Sequence, residues 1–204
     1  MNKVDTAKWK DIFKNHIATF NDYGKNIKII DFKKPDSIEY RIRFIFEDDY
    51  YRLHISGDMG ELIAINYYNM TYDDFIENYV NDSYYFEEKI KCMNRGIYFY
   101  DEDKAKEDIL NLFKEEFKED DEFEFLKQFG YFDVQEAIDD LLIDFEVDKG
   151  LTQSAIRELQ EWLHCDYCDI PQDIGQIRTN VLDVYLLAFQ LAYNQINTDS
   201  SSKQ

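Results

Sequence analysis

Residues 40–68 read YRIRFIFEDDYYRLHISGDMGELIAINYY, and this stretch decides the fold. Tyr40, Ile42, Phe44 and Phe46 alternate with Arg41, Arg43 and Ile45. A period of two gives a strand one apolar face for a core and one largely basic face. Glu47, Asp48 and Asp49 make a turn, after which Tyr51, Leu53 and Ile55 resume the alternation against Arg52 and His54. Ser56-Gly57-Asp58-Met59-Gly60 is a second tight turn, with glycines free to take positive φ. Glu61–Tyr67 then supplies a third strand. The pattern predicts an antiparallel meander, preceded by a short strand at Ile27–Phe32 and with a further edge segment at Ile97–Tyr100.

Outward from the meander the periodicity becomes helical. Trp9, Ile12, Phe13, Ile17 and Phe20 predict an opening helix over 5–20, with His16 on its flank at the surface. Short helices are predicted at Tyr72–Val80 and Ser83–Cys92, in a middle segment rich in tyrosine. From Asp101 to Asp148 there are 19 Asp and Glu against 5 Lys, a net of −14 out of −20 for the chain. This acidic block still carries apolar stripes: Ala105, Ile109, Leu112, Phe113 and Phe117; then Phe123, Leu126 and Phe129; then Val134, Ala137, Ile138, Leu141, Leu142 and Phe145. It therefore reads as three amphipathic helices, capped by Asp101 or Asp103 and by Asp133, each with a carboxylate face. Thr152 caps a helix carrying Ala155, Ile156, Leu159, Trp162 and Leu163, and a last helix over 176–196 is apolar on more than one side, as a buried helix would be.

We therefore expect an α+β fold, a small antiparallel β-meander packed against a mainly helical C-terminal half. It would form one domain over 1–197, with a helix-plus-meander part at 1–100, an acidic helical half at 101–197 and a flexible tail at 198–204. The 204 residues suffice for a sizeable core, and 45% apolar content with 16 Tyr and 16 Phe is far from a disordered acidic tail. Three cysteines are too few for a disulfide framework, and the N-terminus shows no signal-peptide pattern, so a cytoplasmic location is expected. The most apolar run, Val181–Tyr193, is interrupted by Asp183 and Gln190 and is too short to span a bilayer.

A net charge of −20 disfavours unassisted binding to DNA, RNA or anionic membranes and favours a basic partner. Glu136, Asp139, Asp140 and Asp144 are the first candidates for that contact, with Glu115, Glu116, Glu119 and Asp120 next. The plainer alternative is a face that only solvates an aromatic-rich protein. On the meander, Arg41, Arg43, Arg52 and His54 share the second face, where they either find carboxylates within the fold, such as Asp58 or Glu61, or form an anion site. In the latter case His54, with Glu61 or Asp58 as acid–base companion, is the candidate centre of an RNA-cleaving enzyme. His164, Cys165 and Cys168 have metal-ligand chemistry at tight spacing but lack a second pair, so no metal and no cofactor is expected. No calcium loop, phosphate-binding loop or nucleophile motif is present in the sequence.

Residues 40–68, together with LLAFQLAYNQ at 186–195, about a fifth of the chain, resemble segments of uncharacterised proteins carried by bacteriophages and other mobile elements of Gram-positive bacteria. Small acidic proteins of that setting include anti-CRISPR proteins, several of which occupy the basic nucleic-acid groove of an RNA-guided nuclease. The resemblance implies a host-defence inhibitor acting in the host cytoplasm, with a CRISPR effector nuclease as the basic partner and no catalysis of its own.

Overall fold

The alternation at 42–47 is realised as a strand whose buried residues are Ile42, Phe44 and Phe46. The computed structural model describes residues 5–24, 26–117, 124–163, 170, 171 and 173–201. The fold is α+β, and the chain divides into two compact units: residues 1–97 with 180–204, and residues 98–179. One domain over 1–197 was expected. The division near residue 100 follows the predicted change from sheet to acidic helices, but the last helix belongs to the first unit.

The first unit holds a six-stranded antiparallel sheet in simple meander order: β1 (Ile17–Asp22), β2 (Ile27–Lys33), β3 (Ile42–Glu47), β4 (Arg52–Gly57), β5 (Gly60–Ile65) and β6 (Ile90–Met93). Helix α1 (Thr6–Phe13) precedes it, α2 (Tyr72–Asn78) and α3 (Ser83–Glu87) lie between β5 and β6, and α8 (Val181–Ser201) returns to it. The inner face carries Ile30, Phe32, Ile42, Phe44, Phe46, Leu53, Ile55, Leu62 and Ala64 against Leu182, Tyr185, Phe189 and Ala192 of α8. Phe189 is the hub of this core, with ring centroids 5.4 Å from Phe44 and 4.8 Å from Phe75. Truncating such a ring typically costs about 3–5 kcal/mol. Burial raises the pKa of the Tyr185 hydroxyl, which donates to the Gly60 carbonyl at 2.7 Å. Gly60 itself sits at φ +121°, which disfavours any side chain there.

Several elements depart from the sequence reading. Residues 17–22 form a strand and not the end of α1, because Ile17 and Thr19 alternate with Ala18 and Phe20 and pair in register with β2. Their spacing from Trp9 and Phe13 happens to fit a helix as well. His16, expected at the surface, is 4% exposed where α1 turns into β1. Helix α3 stops at Glu87, and Ile90–Met93 becomes the sixth strand. The predicted edge segment near residue 97 is β7 (Tyr98–Tyr100), which pairs with β8 (Gln176–Arg178) in a separate ribbon. At the other end α8 continues as helix through Ser201, past the start of the predicted flexible tail.

The second unit contains that ribbon with α4 (Glu102–Glu116), α5 (Glu124–Lys127), α6 (Val134–Leu141) and α7 (Gln153–Leu163). Asp101 caps α4 by accepting from Lys104 N–H, Asp133 caps α6 through Glu136 N–H, and Thr152 Oγ1 accepts from Ala155 N–H. The stripes converge on Ala105, Ile109, Phe113, Leu126, Ala137, Ile138, Leu141, Leu159 and Trp162. Gly175 has no room for a Cβ beside Ala105, and its N–H donates to Asp108 at 2.9 Å, tying the approach to β8 to α4. Residues 98–179 hold 24 Asp and Glu against 8 Lys and Arg, a net of −16, which leaves −4 for the rest. Most of the net negative charge therefore sits in one compact unit. No helix among the described residues is long and apolar enough to cross a membrane.

Candidate functional site

Helix α6 shows how the acidic face is built. Val134, Ala137, Ile138 and Leu141 recur at helical spacing and are buried, which forces Glu136, Asp139 and Asp140 outward. Just beyond the helix, Asp144 is exposed too. An open depression on this face is lined by Tyr131, Asp133, Glu136, Asp139, Asp140 and Ile143.

Local bonds hold these carboxylates in place. Asp133 caps the helix by accepting from Glu136 N–H at 2.8 Å, and Glu136 Oε2 reaches back to accept from Phe132 N–H at 3.0 Å, one residue before the cap. Asp139 accepts from Gln135 Nε2 at 3.1 Å and lies 3.1 Å from Lys106 Nζ. The hydrogen bonds from Lys106 and then Gln135 hold its carboxyl below the usual aspartate range. Asp140 accepts from the Tyr131 hydroxyl at 2.5 Å, and burial together with that bond pushes the phenol's pKa upward. All four candidate acids of this region are exposed, and Glu136, Asp139 and Asp140 are held by hydrogen bonds. Glu115 and Glu116 are exposed in the last turn of α4. Glu119 and Asp120, like His164, Cys165 and Cys168, lie outside the described residues.

Two of these pairs stand at helix C-termini. Asp139 and Asp140 fall in the last turn of α6, which has no basic residue there, and Glu115 and Glu116 close α4 beside Lys114. The carbonyl end of a helix carries partial negative charge, so carboxylates there oppose the macrodipole by about 0.3–1 kcal/mol each. Helix stability alone would place them at N-termini.

On the sheet, the register sorts the outer face into rows. Asp31 of β2 is opposite Arg43, which is opposite Ser56, which is opposite Glu61. The next row is Ile29, Ile45, His54 and Ile63, and the one after it is Ile27, Glu47, Arg52 and Ile65. Arg43 is bidentate on Asp31, its Nε and Nη2 donating at 2.6 and 2.9 Å. Those bonds raise the guanidinium pKa further. Arg52 pairs with Glu47, and His54 Nε2 lies 3.4 Å from Glu47 Oε1. Arg41 Nε is 3.7 Å from Asp58. Arg41, Arg43, Asp58 and Glu61 share a shallow depression, whereas His54 and Arg52 gather at Glu47 instead.

Asp31 and Glu47, the principal partners of these cations, were not among the carboxylates expected there, and Glu47, expected in the turn, is the last residue of β3. Strand parity would have placed Asp31 on the basic face, but only the register shows it opposite Arg43. Among the described residues no three of His, Cys, Asp and Glu converge as metal ligands. No family model, curated protein or solved structure matches the chain.

Proposed function

We propose that the protein is a non-catalytic inhibitor that binds a basic nucleic-acid-binding protein through its acidic helical unit. The carboxylates of α6 and of the end of α4 would stand in for phosphates and deny nucleic acid its groove. The observation that carries this is the placement of Asp139, Asp140, Glu115 and Glu116 at helix C-termini, where they work against their own helices. Lys106 offsets that cost for Asp139, so Asp140, Glu115 and Glu116 carry the case: helix stability alone does not place them there. Opposite net charges would make association fast and salt-sensitive. The resemblance at 40–68 and 186–195 supports a mobile-element setting, and for that setting the partner we propose is a CRISPR effector nuclease.

Target-DNA binding by guide-loaded CRISPR effector nucleases of Gram-positive bacteria tests this. Wild-type protein should abolish target binding by a susceptible effector and leave its guide RNA intact. Two variants separate binding from folding. Glu136→Lys/Asp139→Lys/Asp140→Lys/Asp144→Lys should weaken inhibition by orders of magnitude. Glu115→Lys/Glu116→Lys should also weaken it while leaving thermal stability unchanged or higher, because cations suit that helix end. Full inhibition by both folded variants would remove the mimicry idea. Guide RNA cut by wild type but not by His54→Ala would replace it with the enzymatic alternative.

A further inference from the structure

One end of the meander gathers exposed tyrosines. The turns at residues 22–27, 47–52 and 65–69 lie side by side there: Asp48 N–H donates to Asn26 O at 2.8 Å, and Asn66 N–H donates to Tyr51 O at 3.1 Å. Lys89, before β6, completes the row by accepting from Ile65 N–H at 2.9 Å. Along this rim Tyr50 is 66% exposed, Tyr67 94% and Tyr68 64%. Three large rings so exposed on one rim form a candidate contact surface.

The rim is held rigidly. Asn26, Tyr51 and Asn69 take left-handed backbone conformations, with φ of 81°, 48° and 59°. For a tyrosine that conformation is strained, and such strain persists where the surroundings over-determine it. Beside Tyr67 and Tyr68 in the chain, Asn66 Nδ2 donates to the Tyr79 hydroxyl oxygen at 2.6 Å and to Asn69 Oδ1 at 3.0 Å, and the Tyr79 hydroxyl donates to Asn69 Oδ1 at 2.6 Å. Exposed aromatics on a fixed base lose little entropy on binding.

The chemistry of the rim points to cations. Lys89 Nζ stands 4.1 Å over the Tyr85 ring, and the Arg52 guanidinium is 5.2 Å from the Tyr50 ring. The surface thus already seats two of its own cations on tyrosine faces. Carboxylates lie beside them, Glu88 paired with Lys89 and Glu47 with Arg52. We infer that Tyr50, Tyr67 and Tyr68 form a second docking surface that receives arginine side chains of the basic partner. This rests on the partner being basic, as proposed above, but uses a different unit of the chain and a different force. Tyrosine faces attract guanidinium through the ring quadrupole and by stacking, and prefer it to ammonium.

Full-length protein, titrated by fluorescence anisotropy against labelled octa-arginine and octa-lysine at 0.15 and 0.5 M NaCl, tests the inference. Tyr50→Ala/Tyr67→Ala/Tyr68→Ala should bind octa-arginine roughly tenfold more weakly at both salt concentrations, with a smaller loss for octa-lysine. The matching Tyr→Phe variant should bind as wild type, since it keeps the ring faces. Far-UV circular dichroism checks that both are folded. The α6 charge-reversal variant should lose affinity for both peptides at 0.15 M and little at 0.5 M, where its charges are screened. An unchanged octa-arginine affinity in the Tyr→Ala variant overturns the docking surface alone, and an unaffected charge-reversal variant overturns only the acidic-unit proposal. Tyrosine-dependent binding of a single-stranded oligothymidylate, or tyrosine-dependent dimerisation, would also overturn the docking surface by assigning the rim to nucleobases or to a second copy.

Discussion

His16 stands where α1 gives way to β1, packed between Phe13 and Phe32 with ring centroids 5.0 and 5.1 Å away. Its Nε2 is 3.1 Å from the Tyr40 carbonyl, so in the neutral ring that nitrogen carries the proton and donates. Nδ1 is buried with no hydrogen-bond partner. A second proton there would be buried without an acceptor. Burial accordingly lowers the His16 pKa, and the charge of Lys34 adds to this. The unfolded chain then binds the proton more readily than the folded one. The contribution of His16 to stability is complete above the unfolded value near 6.5 and declines as pH falls from there toward the folded pKa, at up to ~1.4 kcal/mol per unit. Denaturant unfolding of wild type and His16→Gln at pH 7.5 and 5.5 checks this. The wild type should lose more stability than the variant across that interval, and equal losses would exclude His16 as the cause.

Among the elements, β1 is the outer strand of the sheet and would offer an unpaired edge to another chain. Gln195 of α8 closes part of it. Its Oε1 accepts from Ala18 N–H at 2.9 Å and its Nε2 donates to His16 O at 3.0 Å, the two bonds a neighbouring strand would make. Gln195→Ala should cost about 1–2 kcal/mol in chemical denaturation and raise light scattering on storage, where a stable, monodisperse variant would refute the edge-blocking role. The strand itself shows why part of the fold escaped the sequence. Ile17 and Phe20 satisfy helical spacing from Trp9 and Phe13, and nothing local reveals that β2 awaits them in register. The 40–68 meander was readable because alternation and turn chemistry agree there, and the outward acids of α6 because Val134, Ala137, Ile138 and Leu141 leave them no other side. The bidentate Arg43–Asp31 pair depends on the register of separate strands, so the basic face could be read from the sequence but its neutralisation could not.

For the whole molecule, charge and architecture divide together: −16 within residues 98–179 against −4 elsewhere. Like charges at this density repel within the compact state, and salt screens them over a Debye length of about 10 Å at 0.1 M. Raising NaCl from 0.05 to 0.5 M should slow amide hydrogen exchange in peptides from 98–179 several-fold and leave the β2–β5 peptides nearly unchanged. Equal responses in both would show that the acidic unit carries no such repulsion. The same segregation keeps that density of carboxylates away from the sheet core.

The sheet unit is also split along the chain, since residues 98–179 intervene between β6 and α8. On the ribosome the six strands emerge before the acidic unit, and Phe189 only after it. Until then the inner faces of Phe44, Phe46 and Leu53 lack the helix that covers them. The nascent chain therefore carries an uncapped apolar sheet while residues 98–179 are made, a state exposed to aggregation, and the strongly anionic segment made during that interval is the part of these residues best suited to keep it dispersed.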